Sequence, residues 1–260
     1  MDIKLEDDGI LIITMTRGKT HAFDDWNFLA LTDALNWAEH EPKVLIVVLT
    51  GSNNYFTSGA DLNASDFSLK LNQGFINDPT GVFMRVMARF PKPIVAAISG
   101  PAIGVGVTLI PHCDFAYATD KTYFWSPFSR IALLPEFASS YTMPRLLGTS
   151  VAGEMILLSK KLSAERAREL GFVSDVFPVE GFLQRVLTEV RGGLVYPLLD
   201  KTLPLFKHTM KKCARAAWRA DDDTRAGGTP PLLKRSLPTS CTSSTGAWSE
   251  ASLPRPLWPF

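Results

Sequence analysis

The 260-residue chain is poor in cysteine, balanced in charge and free of long apolar runs, and each shortage removes a class of function. Its cysteines, Cys113, Cys213 and Cys241, are odd in number and far apart. Such spacing fits neither a disulfide framework nor a zinc site, and a reducing compartment is expected. A net charge of +1 leaves no basic excess, and no Lys/Arg stripe offers the electrostatic footprint of a nucleic-acid binder. No apolar run approaches the length that spans a bilayer. The N-terminus, Met1-Asp2-Ile3-Lys4-Leu5-Glu6-Asp7-Asp8, has early acids and no apolar stretch, unlike a secretory signal or an Arg-rich transit peptide. Leu257-Trp258-Pro259-Phe260 at the other end lacks a Ser-Lys-Leu type address. What is present is a 46% apolar composition over a length able to bury at least one sizeable core. The expected partner is a small molecule, with no nucleic acid, no membrane and no metal.

Aliphatic and β-branched runs at Ile10 to Met15 and Val44 to Leu49 predict strands buried on both faces. Between them Asp24 or Asp25 can cap a helix whose apolar face is read as Trp26, Leu29, Ala30, Ala34 and Trp37. The alternation continues with a helix over Phe83 to Phe90, a strand over Ile94 to Ser99, a helix start at Gly104 to Pro111 and a strand over Asp114 to Ala118. Two helices follow between Thr149 and Leu170, with Ser163 as N-cap of the second and Gly171 ending it, then a short strand over Val173 to Phe177. Alternating strands and helices imply an α/β fold of stacked layers. Beyond about Ala220 the composition shifts to Asp, Thr, Gly, Pro and Ser, and a poorly ordered tail is expected there.

Two strand-to-helix turns carry the candidate chemistry. The first reads Thr50-Gly51-Ser52-Asn53-Asn54-Tyr55-Phe56-Thr57-Ser58-Gly59-Ala60-Asp61-Leu62, the second Ser99-Gly100-Pro101-Ala102-Ile103-Gly104-Val105-Gly106. Small residues let a ligand approach the backbone, and the first N–H groups of a helix lack internal acceptors and favour negative charge. Either turn alone is ordinary punctuation. Gly104-x-Gly106 does not make a dinucleotide fingerprint, because Leu109 stands at the third glycine position. The third piece is Leu133-Leu134-Pro135-Glu136-Phe137-Ala138-Ser139-Ser140-Tyr141, a carboxylate among apolar neighbours directly before a predicted helix. An apolar setting raises a carboxyl pKa and suits it to act as a base near neutrality. Taken alone, the segment reads first as a helix-end acid complementing the dipole.

These segments in this order resemble the crotonase (enoyl-CoA hydratase/isomerase) superfamily over roughly residues 1–190. The likeness is carried by Phe56-Thr57-Ser58-Gly59-Ala60-Asp61-Leu62, by Pro93 to Gly106 with Cys113-Asp114, by the Glu136 segment and by Leu170-Gly171-Phe172-Val173. It implies a ββα spiral core of stacked sheets with surrounding helices. It also implies that the main-chain N–H groups of Ala60 and Val105 hold the thioester oxygen of an acyl-CoA. Coenzyme A, present as part of the substrate and not as a separate cofactor, is then expected along Ala22, Ser58, Asp61 and Leu62, with Gly106, Phe128 and Leu133 near the acyl chain. Phe137 is a further candidate for the apolar wall. Where hydratases of the family carry two glutamates, this chain has Thr108 and Phe128, and Glu136 stands at the position used by the peroxisomal type of Δ3,Δ2-enoyl-CoA isomerase. Pro127-Phe128-Ser129 and Ser139-Ser140-Tyr141-Thr142 are similar to the same subfamily.

The resemblance thus points to isomerisation of a 3-enoyl-CoA in fatty-acid β-oxidation, with an enoyl-CoA hydratase or an acyl-CoA-binding homologue of little turnover as alternatives. The chain departs from the pattern at His21, where Asn is common and where a local backbone bond is the expected role, and at Gly18, where Pro is common. His112, beside Cys113 and Asp114, has no nucleophile elbow near it and reads as a packing or surface residue. The expected organisation is a core over 1–190, a helical C-terminal segment over 191–220 and a Pro/Ser-rich tail over 221–260. The resemblance implies a homotrimer, or a dimer of trimers, if the C-terminal helices form. It associates the family with the peroxisome or mitochondrion, and no address in the sequence chooses between them.

Overall fold

The computed structural model describes residues 1–62, 78–193 and 202–210. The 221–260 tail, Cys213, Cys241 and most of the 191–220 segment lie outside the described residues. Strands β1 (Asp2–Leu5), β2 (Ile10–Met15), β3 (Ile46–Gly51), β4 (Ile94–Ile98), β6 (Phe115–Thr119) and β9 (Asp175–Phe177) form one sheet in the order β1-β2-β3-β4-β6-β9. All neighbours pair in parallel except β1 with β2. A smaller sheet joins β5 (Ala102–Ile103), β7 (Tyr123–Trp125) and β8 (Leu162–Ser163).

The central strands are buried on both faces, as their unbroken aliphatic runs require. Alternate residues serve two cores. Leu11, Ile13, Val47, Leu49, Ile94, Ala96 and Ile98 face the larger one, which includes Phe28, Leu31 and Leu35 of α1 (Asp25–His40) and Phe83, Met84 and Met87 of α2 (Pro79–Arg89). Ile10, Ile12, Ile46, Val48, Val95 and Ala97 face the other, sealed by Phe182, Val186, Leu187 and Val190 of the helix Phe182–Gly193. At roughly 1.5–3 kcal/mol for each fully buried aliphatic or aromatic side chain, this two-faced burial is the main stabilising term.

The face predicted for α1 is corrected. Trp26, Leu29 and Trp37 are about half exposed, whereas Phe28, Leu31, Ala34, Leu35 and Ala38 are buried. Two apolar stripes run along this helix, and the one with alanines at 34 and 38 permits close approach to its neighbours. The guanidinium of Arg17 lies 5.1 Å from the Trp26 ring centre, covering part of the outer stripe. Asp24 is the N-cap, accepting from Asn27 N–H at 3.0 Å. Ser163 caps the helix Ala164–Glu169 and Gly171 follows that helix in the left-handed region, both as expected.

A helical stretch over 202–210 is fastened to the N-terminal end of the sheet by Lys207. Its ammonium lies 2.9 Å from Asp114 Oδ2 and donates to Lys92 O at 2.7 Å. Asp114 Oδ2 also accepts the Ile94 N–H that starts β4. Among the described residues no helix is long and apolar enough to cross a membrane.

Candidate active site

The two turns leave the C-terminal ends of β3 and β4 and are clasped together. Phe56 and Thr57 N–H both donate to Pro101 O at 3.2 Å, and Ile103 N–H returns to Thr57 O at 3.0 Å. Ser99 Oγ adds donations to Gly51 O and Tyr55 O at 2.8 and 3.1 Å. Thr57, fully buried, donates to His21 O and accepts from Gly59 N–H, so its one hydroxyl fixes the bend before Ala60. A Cβ on Gly59 (φ +85°) would meet Ile103 O at 2.8 Å, and one on Gly104 (φ +55°) would stand 3.8 Å from Gly59 Cα. Close approach requires glycine at 59, and the backbone at 104 (φ +55°, ψ −119°) requires it there although a Cβ would have room.

The residues that follow these two glycines are Ala60 and Val105. Val105 opens α3 (Val105–Thr108), so its N–H has no intrahelical acceptor. Neither the Ala60 nor the Val105 N–H finds a hydrogen-bond acceptor among the described residues. Two such donors, each on the residue that follows one of the touching glycines, can take up charge developing on a carbonyl oxygen. Gly106 is held tight, since a Cβ there would fall 2.4 Å from Thr57 Cγ2. Burial pushes the Tyr55 phenol up from its ordinary value, and Tyr123 adds to the effect, so the first turn offers no phenolate base near neutrality.

Glu136 does not directly precede a helix. Phe137 and Ala138 intervene, both at positive φ (57° and 55°), and α4 (Ser139–Leu147) begins after them without a side-chain cap. Left-handed backbone costs a non-glycine residue roughly 1–2 kcal/mol, so two in succession persist only where other contacts hold them. Ser139 supplies both its N–H (3.0 Å) and its Oγ (2.6 Å) to Glu136 O. His112, on the 3-10 turn after α3, donates from Nε2 to Phe137 O at 2.8 Å and stacks on the Phe137 ring, 4.0 Å between centres at 15°. The half-buried carboxylate accepts from Thr108 Oγ1 at 2.7 Å through Oε1. Its side chain thus meets the helix that carries Val105, not the N-terminus of the helix that follows it.

The remaining expected residues fall into two groups. Ala22, Ser58 and Asp61 come together where residues 20–23 run beside 57–61: Ser58 N–H donates to Thr20 O, Phe23 N–H to Gly59 O and Asp61 N–H to Phe23 O, each at 2.8–2.9 Å. Leu62 ends this ledge, half exposed. Phe128 and Leu133 are joined by a 3.0 Å bond from Leu133 N–H to Phe128 O; Phe128 is buried and Leu133 half-buried. Phe137 is core beneath the loop, edge-on to Phe83, which in turn meets Phe23 and Phe28. His21 bonds the local backbone through Nδ1, 3.2 Å from Arg17 O, and reaches the first turn through Nε2, 2.9 Å from Ser52 O.

Residue-by-residue reading had left out the supports of Glu136. Thr108 was legible only as a missing acid, and His112 only as packing. Ser139, three residues after Glu136, carried a turn signal that could have been read. Among the described residues no group of three His, Cys, Asp or Glu side chains could hold a metal ion.

Comparison with known proteins places the chain in a family. The family profile described as enoyl-CoA hydratase/isomerase matches residues 6–217. The chain is similar to enoyl-CoA delta isomerase 3, peroxisomal, of Mus musculus, at 35% identity over 71% of this chain and 59% of that protein. It is similar to human enoyl-CoA delta isomerase 2, at 33% identity over 92% of this chain and 60% of that protein. The chain thus spans about three fifths of the length of these curated relatives. Among solved structures, an enoyl-CoA hydratase/isomerase from Pseudoalteromonas atlantica T6c superposes with a TM-score of 0.77 at 27% identity, covering 87% of this chain and 88% of that one. The strand order, the clasped turns and these matches together establish that the chain belongs to the enoyl-CoA hydratase/isomerase family and has the crotonase fold.

Proposed function

We propose that the chain is a Δ3,Δ2-enoyl-CoA isomerase, acting on acyl-CoA thioesters in fatty-acid β-oxidation. The observation that carries this reading is the pairing of Glu136 with Thr108. At a position where the family's hydratases carry an acid, this chain has a hydroxyl, and at the other it has the buried ring of Phe128. Neither residue can activate water or protonate a carbanion, which leaves Glu136 as the proton-transfer group. The names borne by the two curated relatives favour the same reaction.

In the proposed mechanism the Glu136 carboxylate removes a proton from C2 of a 3-enoyl-CoA. The C–H electron pair moves into the conjugated system and onto the thioester oxygen, which the Ala60 and Val105 N–H groups receive. Each such donor is worth about 2.7–4 kcal/mol to a transition state. The protonated Glu136 then returns its proton to C4, and the double bond comes to rest between C2 and C3. One carboxyl group serves both carbons, in a site whose apolar lining by Phe128 and Leu133 keeps solvent protons out. Coenzyme A lies along the ledge formed by Ala22, Ser58, Asp61 and Leu62.

A parallel assay of the purified chain with a 3-enoyl-CoA and a 2-enoyl-CoA tests the reading. The expected outcome is conversion of the first and no hydration of the second. Rapid hydration would replace isomerase by hydratase, and tight acyl-CoA binding without turnover would make the chain a binding homologue.

A further inference from the structure

We infer that Thr108 is the positioning residue that holds Glu136 in register with the two main-chain donors; the inference rests on the isomerase reading of the same site. Thr108 and Val105 belong to one four-residue helix, so the N–H that receives the thioester oxygen and the hydroxyl that fixes the base move as a unit. That helix has little freedom to shift, because Gly106 is packed against Thr57 and Thr108 N–H is itself tied to Gly104 O at 3.1 Å.

The Thr108 hydroxyl has one proton and two acceptors in reach. Val105 O, three residues back, stands at 3.4 Å, and Glu136 Oε1 at 2.7 Å. A threonine within a helix ordinarily bonds back to a carbonyl of its own turn. Here the short contact to a carboxylate takes the proton, as a charge-assisted O–H···O bond should. Thr108 is fully buried, so no water competes for the hydroxyl, and branching at Cβ restricts its rotamer. The hydroxyl holds the carboxylate at 2.7 Å. A hydroxyl does not ionise near neutrality, so it steadies the base without repelling it or exchanging protons with the substrate.

The test uses the full chain with Thr108→Val, which removes the hydroxyl at nearly constant volume, and Thr108→Ser, which keeps it. kcat and KM are measured with a 3-enoyl-CoA, and exchange of the C2 hydrogens of a saturated acyl-CoA with D2O is followed by NMR. Thr108→Val should lower kcat and the exchange rate about 10- to 100-fold with KM within about threefold, the loss appropriate to one hydrogen bond to a charged group. Thr108→Ser should recover most of both rates. If the valine variant does not fold, Thr108→Ala replaces it against the same serine control. Wild-type kcat in the valine or alanine variant would overturn the inference, as would equal losses in that variant and the serine variant, which would mean packing alone. In those cases wild-type isomerisation leaves the underlying reading standing. A wild type that neither shifts the double bond nor exchanges C2 hydrogens would overturn both.

Discussion

The clasped turns and the Glu136 loop lie at one site but are built by opposite means. The turns present backbone: their shape depends on glycines at 59 and 104 and on main-chain bonds between residues 56–57 and 101–103, and the donors at Ala60 and Val105 owe nothing to side-chain type. The Glu136 loop presents a side chain, and side chains hold it: Thr108 on the carboxylate, Ser139 on the carbonyl of Glu136, His112 on the carbonyl and ring of Phe137. A scaffold of the first kind can serve any reaction that passes through a thioester enolate. The second kind decides which reaction that is, because the acid or base is chosen one residue at a time. In the proposed enzyme, damage to the turns should impair every reaction of an acyl-CoA, whereas damage to the loop should impair proton transfer and spare binding.

Substitutions sharpen this contrast. Glu136→Gln should have the largest effect, lowering kcat by about 10²–10⁴, the usual worth of a positioned acid–base group, with acyl-CoA affinity by calorimetry within about threefold. A parallel loss of affinity would show that the loop also builds the binding surface. Gly104→Ala comes next. There is room for the methyl group, but a backbone at φ +55° and ψ −119° is one that L residues avoid, so the turn must rotate and carry the Val105 N–H away. The expected loss is roughly 10²–10³ in kcat/KM, and C2 hydrogen exchange should fall with it. Intact exchange would place the oxyanion donor elsewhere.

His112→Ala removes the donor to Phe137 O and the stacked ring, and should lower kcat about tenfold while costing roughly 1–3 kcal/mol of stability in a denaturant titration. Unchanged kcat with the stability loss alone would make His112 a packing residue and nothing more. Val105→Ala should do least. The main-chain donor survives, so kcat/KM should stay within about threefold, with about 1–2 kcal/mol of stability lost from two buried methyl groups.

Much of the frame was legible because burial on both faces writes itself as uninterrupted aliphatic runs: Ile10–Met15 is a strand at the predicted bounds, and the β3 and β4 runs fall within two residues of theirs. The α1 face was misread because apolar residues form two stripes there, and only tertiary packing selects the one containing Phe28 and Leu35. The strands Ala102–Ile103 and Leu162–Ser163 are too short to show any period. At the site, glycines marked the turns, since positive φ has a residue preference. Phe137 and Ala138 reach the same region without glycine, held by contacts from residues 112 and 139, so nothing local in the sequence announces the bend that presents Glu136. The bond from Thr108 spans 28 residues and depends on how the helix Val105–Thr108 faces the loop, which is a fact of the fold alone.

In the proposed enzyme a single shielded carboxylate carries the proton from C2 to C4. A 3-enoyl-CoA deuterated at C2, turned over in ordinary water and analysed at low conversion, tests it most directly. The expected product is 2-enoyl-CoA in which a measurable share of molecules carries the deuterium at C4. Product formed at full rate with no deuterium at C4 would contradict it, showing that the departing and arriving protons use different groups or open solvent.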